Sequence, residues 1–233
     1  MTVDQADQGG DSATGAALVA RAAAPSSLPD RAARIVDAAL VLFADKGFDA
    51  TAIPEIAAAA GVGTGTIYRY FETKDALGNA VWQQAKRALM EAVAPVFLAP
   101  PEGAPAAACR TRFMALWTAV LAFAEAAPAA FRFLEFHHEP RFLDRQSLRL
   151  AEQSMAPLHA YIAEGQARGY LAPLDPEVMT ALVWGALTGL VRHAALMNRP
   201  LDPAMVRDSG ATLWRAVVIP APAATTTTEG DAS

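Results

Sequence analysis

Residues 61–77 read GVGTGTIYRYFETKDAL, and the reading of this stretch decides the fold. Three glycines and three threonines surround a run ending in Tyr68, Arg69, Tyr70 and Phe71. Gly costs a helix about 1 kcal/mol relative to Ala, and Thr also lies below average. The preceding residues 56–60, IAAAA, are nearly pure alanine, the best helix former. A chain that gathers its poorest helix formers and its densest hydroxyls in one place is answering to something other than helix stability.

The surroundings supply the context. A helix is expected from Asp30 to just before Gly47, with Ile35, Ala39, Leu42 and Phe43 on one face at helical spacing. Gly47 stands where a left-handed C-cap belongs. Thr51 reads as the N-cap of a short second helix over 52–60, with Pro54 in its first turn, where the missing N–H is not needed. Gly61-Val62 makes a turn, and a third short helix runs over 64–70. Helix, glycine turn, helix is the helix-turn-helix arrangement, whose second helix enters the major groove of DNA. In that reading the glycines let the backbone approach phosphates, and Thr64 and Thr66 offer hydroxyls and methyls to base edges. Tyr68, Arg69, Tyr70 and Lys74 reach phosphates, with a guanine edge the alternative for Arg69, and Thr51 with the N–H groups after it forms an anion site. The plainer reading stands beside it: Thr51 only a cap, Tyr68 half-buried scaffold, and Ile67, Phe71 and Leu77 simply core.

Charge speaks against DNA. Residues 30–80 hold five bases (Arg31, Arg34, Lys46, Arg69, Lys74) and seven acids (Asp30, Asp37, Asp45, Asp49, Glu55, Glu72, Asp75). The unit is acidic, whereas a nucleic-acid footprint is normally basic. It binds DNA only if the bases share one edge. The rival is a helical interaction or scaffold protein whose helix-turn-helix never touches DNA.

The rest of the 233 residues bound the answer further. The chain is 53% hydrophobic with a net charge of −5 and one cysteine, Cys109, so no intrachain disulfide is possible. The N-terminus, MTVDQADQGGDSATG, has acids where a signal peptide needs bases. The apolar run at 178–191 is shorter than the roughly 20 residues that span a bilayer. A cytoplasmic protein with no membrane partner is expected. Residues 1–28 and 220–233 read as flexible tails. Between them the fold is expected to be all-α: a helix-turn-helix unit over 29–73, then a helical bundle over 74–219. Helices are expected at 74–94, 106–126, 129–137, 141–168, 175–197 and 202–218, with a break at 95–105 and a kink or split at Pro157.

The bundle is rich in aromatic residues, which favours an apolar cavity with a few polar groups. Phe113, Trp117, Phe133, Phe136, His137, Trp184 and His193 are its candidate lining, with Arg132, Glu135, His138 and His159 as further polar candidates. Glu135 and His138 have the i, i+3 spacing of carboxylate di-iron bundles, but a second Glu-x-x-His is missing from the sequence. A lone metal there and a plain helix end are both open. The expectation is no metal site and no cofactor. Ala181, Gly185 and Gly189 form a small-residue row, so this helix and the last one, with Leu213, are expected to make a two-fold dimer interface; close packing within one chain is the alternative. No nucleophile with a paired base, phosphate loop or metal cluster points to catalysis.

Residues 34–81, RIVDAALVLFADKGFDATAIPEIAAAAGVGTGTIYRYFETKDALGNAV, resemble the DNA-binding domain of TetR-type transcriptional regulators. The likeness lies in Phe43 to Phe48, the capping Thr51, Ile56-Ala57, Ala60 to Val62, Gly65 to Phe71, and Lys74 with Leu77. Gly63 departs from a common Ser and Tyr70 from a common His. The resemblance implies an all-helical homodimer. It implies an N-terminal helix-turn-helix and a C-terminal effector and dimerisation domain. It further implies repression at a palindromic double-stranded operator, relieved by a small molecule. By matching position, Thr51, Thr64, Gly65, Thr66, Tyr68, Arg69, Tyr70 and Lys74 are the implied DNA contacts.

Overall fold

A computed structural model of the chain describes residues 29–99, 103–136 and 142–218. The expected tails at 1–28 and 220–233 lie outside the described residues. Those described form nine helices: α1 (Asp30–Lys46), α2 (Ile53–Ala60), α3 (Thr64–Tyr70), α4 (Lys74–Leu98), α5 (Pro105–Ala126), α6 (Pro128–Phe136), α7 (Arg145–Ala167), α8 (Pro176–Leu196) and α9 (Pro203–Val217). One isolated antiparallel bridge, Leu171 to Val218, ties the α7–α8 connection to the end of α9.

The helix starts follow local chemistry. Side-chain oxygens of Thr73, Asp144, Asp175 and Asp202 accept first-turn N–H groups of α4, α7, α8 and α9. Prolines open α5, α8 and α9, where an absent N–H costs nothing. Gly61 ends α2 in the left-handed conformation, φ 64° and ψ 40°. There Val62 N–H donates to Ala57 O at 3.0 Å and Gly61 N–H to Ala58 O at 3.2 Å, the paired bonds of a Schellman motif.

Two prolines act differently from expectation. α4 runs through Pro95 to Leu98, because a proline so near the end forfeits only one internal bond. α7 continues through Pro157 instead of splitting. The apolar helix is also longer than the run suggests. α8 spans 21 residues and by length and composition suffices to cross a bilayer, although only 22% of its most apolar stretch is buried in the chain. α5 and α6 meet at 111°, so they do not form one straight apolar rod.

One apolar core runs from the helix-turn-helix unit into the bundle. Ile35, Val36, Ala39 and Phe43 of α1 are at most 1% exposed, as are Ile56, Ile67 and Leu77. Phe43 stacks on Phe133 of α6 with centroids 5.9 Å apart. Phe48 stacks on Phe142 at 4.5 Å, and both lie against Gly78. A Cβ on Gly78 would fall 2.6 Å from Phe48 Cε2, so this glycine is required by packing. A second cluster, including Phe113, Tyr161, Leu171 and Trp214, closes the far end of the bundle.

Candidate functional site

The first candidate surface is α3. Of its seven residues, TGTIYRY, only Ile67 is buried. Thr64, Gly65 and Arg69 are exposed, Tyr68 is 50% exposed, and Thr66 and Tyr70 are half-buried. Arg69 Nη2 donates to Tyr70 Oη at 3.5 Å, and its guanidinium lies 5.2 Å from the Tyr70 ring centroid. Lys74 Nζ donates to Asp49 O at 3.2 Å and sits 4.7 Å over the Phe48 ring, which fixes it beside the α1–α2 loop. The glycines are informative. Gly63 and Gly65 have ordinary φ angles, and an added Cβ would meet nothing within 4 Å at either position. The fold itself asks for glycine at neither place.

Thr51 requires a correction. It is 1% exposed, and its hydroxyl donates back to Gly47 O at 2.8 Å. The N-cap of α2 is Ala52, and the Glu55 carboxylate accepts the Ala52 N–H at 2.9 Å. The anion site expected there is therefore occupied by the protein's own carboxylate, which is also paired with Lys46 at 2.5 Å. These bonds hold the Glu55 pKa below the usual carboxylate value. The acid excess is partly absorbed in the same way. Asp45 pairs with Arg132 at 2.6 Å, and Asp37 accepts from Gln84 at 2.8 Å.

The second candidate is a cavity of about 680 Å³ between α4, α5, α7 and α8. Phe113, Trp117 and Trp184 line it as expected. Phe133 does not: it is 0% exposed, consumed by its stack on Phe43. His193 is exposed near the end of α8, away from the lining, because the helix turns it outward. His137, His138 and the Phe136 side chain lie outside the described residues. Glu135 reaches the cavity and accepts the Trp184 indole N–H at 2.5 Å. Arg132, engaged with Asp45, stays outside it. Among the described residues no cluster of three potential metal ligands occurs.

Sequence reading missed the contribution of α4. Trp82, Lys86, Leu89, Met90, Val93 and Phe97 line the cavity along one helical stripe. Their spacing was visible; what was not is that this stripe faces a void and not a neighbouring helix. Burial pulls the Lys86 ammonium below the usual lysine range. Cys109 lies apart, its thiol pushed up by burial and bonded to Tyr161 Oη at 3.5 Å.

A buried polar chain links the two regions. Asn79, 5% exposed, donates to Asp75 O at 2.9 Å and Phe142 O at 2.5 Å. Its Oδ1 accepts from Asp144 N–H at 2.9 Å and from Ser147 Oγ at 2.6 Å. Gln83 donates to Ser147 Oγ at 3.0 Å. The first half of α4 is thereby fastened to the start of α7, the helix that supplies Ser154, Met155, Leu158 and His159 to the cavity.

The third surface is the outer side of α8. Ala181, Gly185 and Gly189 are exposed, and a Cβ on either glycine meets nothing. Among the described residues nothing packs closely on either glycine of this row. Val178, Leu182, Leu196 and Met197 are 50%, 58%, 75% and 56% exposed. Leu213 of α9 is half-buried and packs against both apolar clusters.

A three-helix reading unit joined by one long helix to an apolar, hollow helical bundle is the architecture of a one-component transcriptional regulator. Residues 35–81 match the family described as bacterial regulatory proteins, tetR family, and residues 101–219 match the tetracyclin repressor-like C-terminal domain. The chain belongs to the TetR family. Among solved structures, a TetR-family regulator from Marinobacter aquaeolei VT8 shares 20% identity at a TM-score of 0.72, over 82% of this chain and 96% of its own. A putative tetR-family regulator from Shewanella sp. PV-4 shares 23% identity at 0.69, over 82% and 100%. The fatty acid degradation regulator FadR from Bacillus halodurans shares 20% at 0.64, over 81% and 97%. A search of curated proteins gives no match.

Proposed function

We propose that this TetR-family regulator is a repressor that binds a palindromic operator as a homodimer and leaves it when a small, mostly apolar molecule enters the bundle. Residues 29–73 read DNA; residues 74–219 hold the effector and the dimer contact. The observation that carries the reading is α3: an exposed face of Thr64, Gly65, Tyr68 and Arg69, with glycines that its own fold does not need. Thr66, Tyr70 and Lys74 flank that face and serve as phosphate contacts. Thr51 supports α2 from within and makes no side-chain contact to DNA. The protein works in the cytoplasm, where its operator lies, and carries out no catalysis.

The mechanism is a population shift. α4 begins at Lys74 beside α3 and lines the cavity from Trp82 to Phe97. An effector that repositions α4 moves the two recognition helices of the dimer away from successive major grooves, about 34 Å apart. The uncovered α8 face, with Val178, Ala181, Leu182, Gly185 and Gly189, supplies the partner contact. Ala181 and Gly185 also border the cavity, so the partner subunit closes part of its mouth.

The test is fluorescence anisotropy on the duplex flanking the protein's own gene, at low and physiological salt, against a scrambled duplex. Selective binding that weakens steeply with salt is expected, and Arg69→Ala abolishes it with unchanged folding. Equal binding to both duplexes refutes sequence selectivity at this site, and no binding to either hands the case to the scaffold reading that the acid excess favours.

A further inference from the structure

We propose that the cavity is built for an anion: an apolar body bearing one carboxylate or comparable oxyanion, whose charged end is held by Lys86. This rests on the effector reading above and specifies its ligand. The cavity is mostly apolar, and several of its polar groups are spent on the protein itself. Thr180 Oγ1 donates to Pro176 O at 2.7 Å, Thr188 Oγ1 to Gly185 O at 3.1 Å and Ser154 Oγ to Ala151 O at 2.7 Å. Tyr161 Oη donates to Cys109 O at 3.0 Å. Of the two lining carboxylates, Glu135 accepts the Trp184 indole, and Glu177 is exposed at the start of α8.

Lys86 is different. Among the described residues no carboxylate pairs with it, and its recorded partner is the Trp82 ring, with Nζ 6.0 Å from the centroid. An ammonium drawn out of water needs a counter-charge, and a ring face supplies a small part of one. His159, which also lines the cavity, can donate to an oxyanion as well. At Lys86 the completing charge is negative and arrives with the ligand, while the lining carboxylates Glu135 and Glu177 are the groups that would draw a cation instead. Lys86 lies on α4, the helix that begins beside α3, so the anion's contact falls on the element that the release mechanism must move.

Three probes of equal chain length decide the matter: decanoate, decanol and decylamine, titrated against the full-length protein by tryptophan fluorescence and calorimetry. Decanoate is expected to bind at least about tenfold tighter than decanol, and decylamine weakest. Lys86→Met should erase the decanoate preference while leaving decanol binding intact, and Lys86→Arg should restore it. Equal affinity for decanoate and decanol, or an undiminished preference in a folded Lys86→Met, overturns the inference and leaves the regulator reading standing. A preference for decylamine assigns the selectivity to the carboxylates and also overturns it. If none of the three binds while the same preparation binds operator, the effector cavity fails together with its anion, and only the DNA reading survives.

Discussion

Replacing Gly65 by alanine separates what the fold wants from what DNA would want. In the structure Gly65 occupies the second position of α3 with an ordinary φ, and an added Cβ meets no atom within 4 Å. The protein alone therefore gains from the change. Gly→Ala at a compatible position stabilises by about 0.4–1 kcal/mol, mostly by restricting the unfolded chain. For a chain of this size that raises Tm by about 1–4 °C. If the missing side chain exists to let the α3 backbone approach a phosphate or a base edge, the same methyl group stands in the contact. A loss of about 1.4 kcal/mol is tenfold in Kd, and a steric clash at a central contact costs at least that. Melting and operator anisotropy on the same preparation should move in opposite directions, toward stability and away from binding. A lowered Tm would mean that space around Gly65 is not open. A raised Tm with unchanged operator affinity would refute the argument that this glycine serves DNA.

Other changes probe other links. Gly78→Ala should destabilise by about 1–3 kcal/mol in urea melts, since its Cβ falls 2.6 Å from Phe48 Cε2 and the Phe48–Phe142 stack must shift. Asn79→Ala leaves Asp144 N–H and Phe142 O without their Asn79 partner and the Ser147 hydroxyl proton without its acceptor, so a loss of about 2–4 kcal/mol is expected by the same measurement. A stability within error of wild type would show that the chain from α4 to α7 carries nothing. Leu182→Glu, at a side chain 58% exposed in one chain, should leave monomer stability within about 0.5 kcal/mol and shift sedimentation from dimer toward monomer. A dimer that survives it would place the interface elsewhere than the α8 face.

Local chemistry wrote much of this protein in advance. The limits of α1 and α3, the turn at Gly61 and the proline-opened helices follow from short-range rules that need no neighbours: glycine's access to positive φ, proline's missing N–H, and apolar residues recurring once per turn. The family pattern over 34–81 was legible because its residues stand in a fixed order and spacing along the chain. Thr51 shows where local rules compete: it looked like a cap, yet Gly47 O, four residues back, claimed its hydroxyl, and Glu55 reached back to Ala52 instead. Side-chain assignments that depend on distance in space were not legible. Phe133 and Trp184 looked alike as aromatic residues on bundle helices; one was taken into the core by Phe43, and the other borders the cavity. The glycines make the same point. Gly65, Gly78 and Gly185 are identical letters, but only the fold shows that Gly78 is wedged between two rings while the other two face open space. Whether an apolar stripe meets a helix, a void or nothing is a property of the assembled bundle, because it depends on where distant helices stop. Lys86 could be placed on its stripe from sequence; that it lacks a counter-charge was decided only once every other helix was in position.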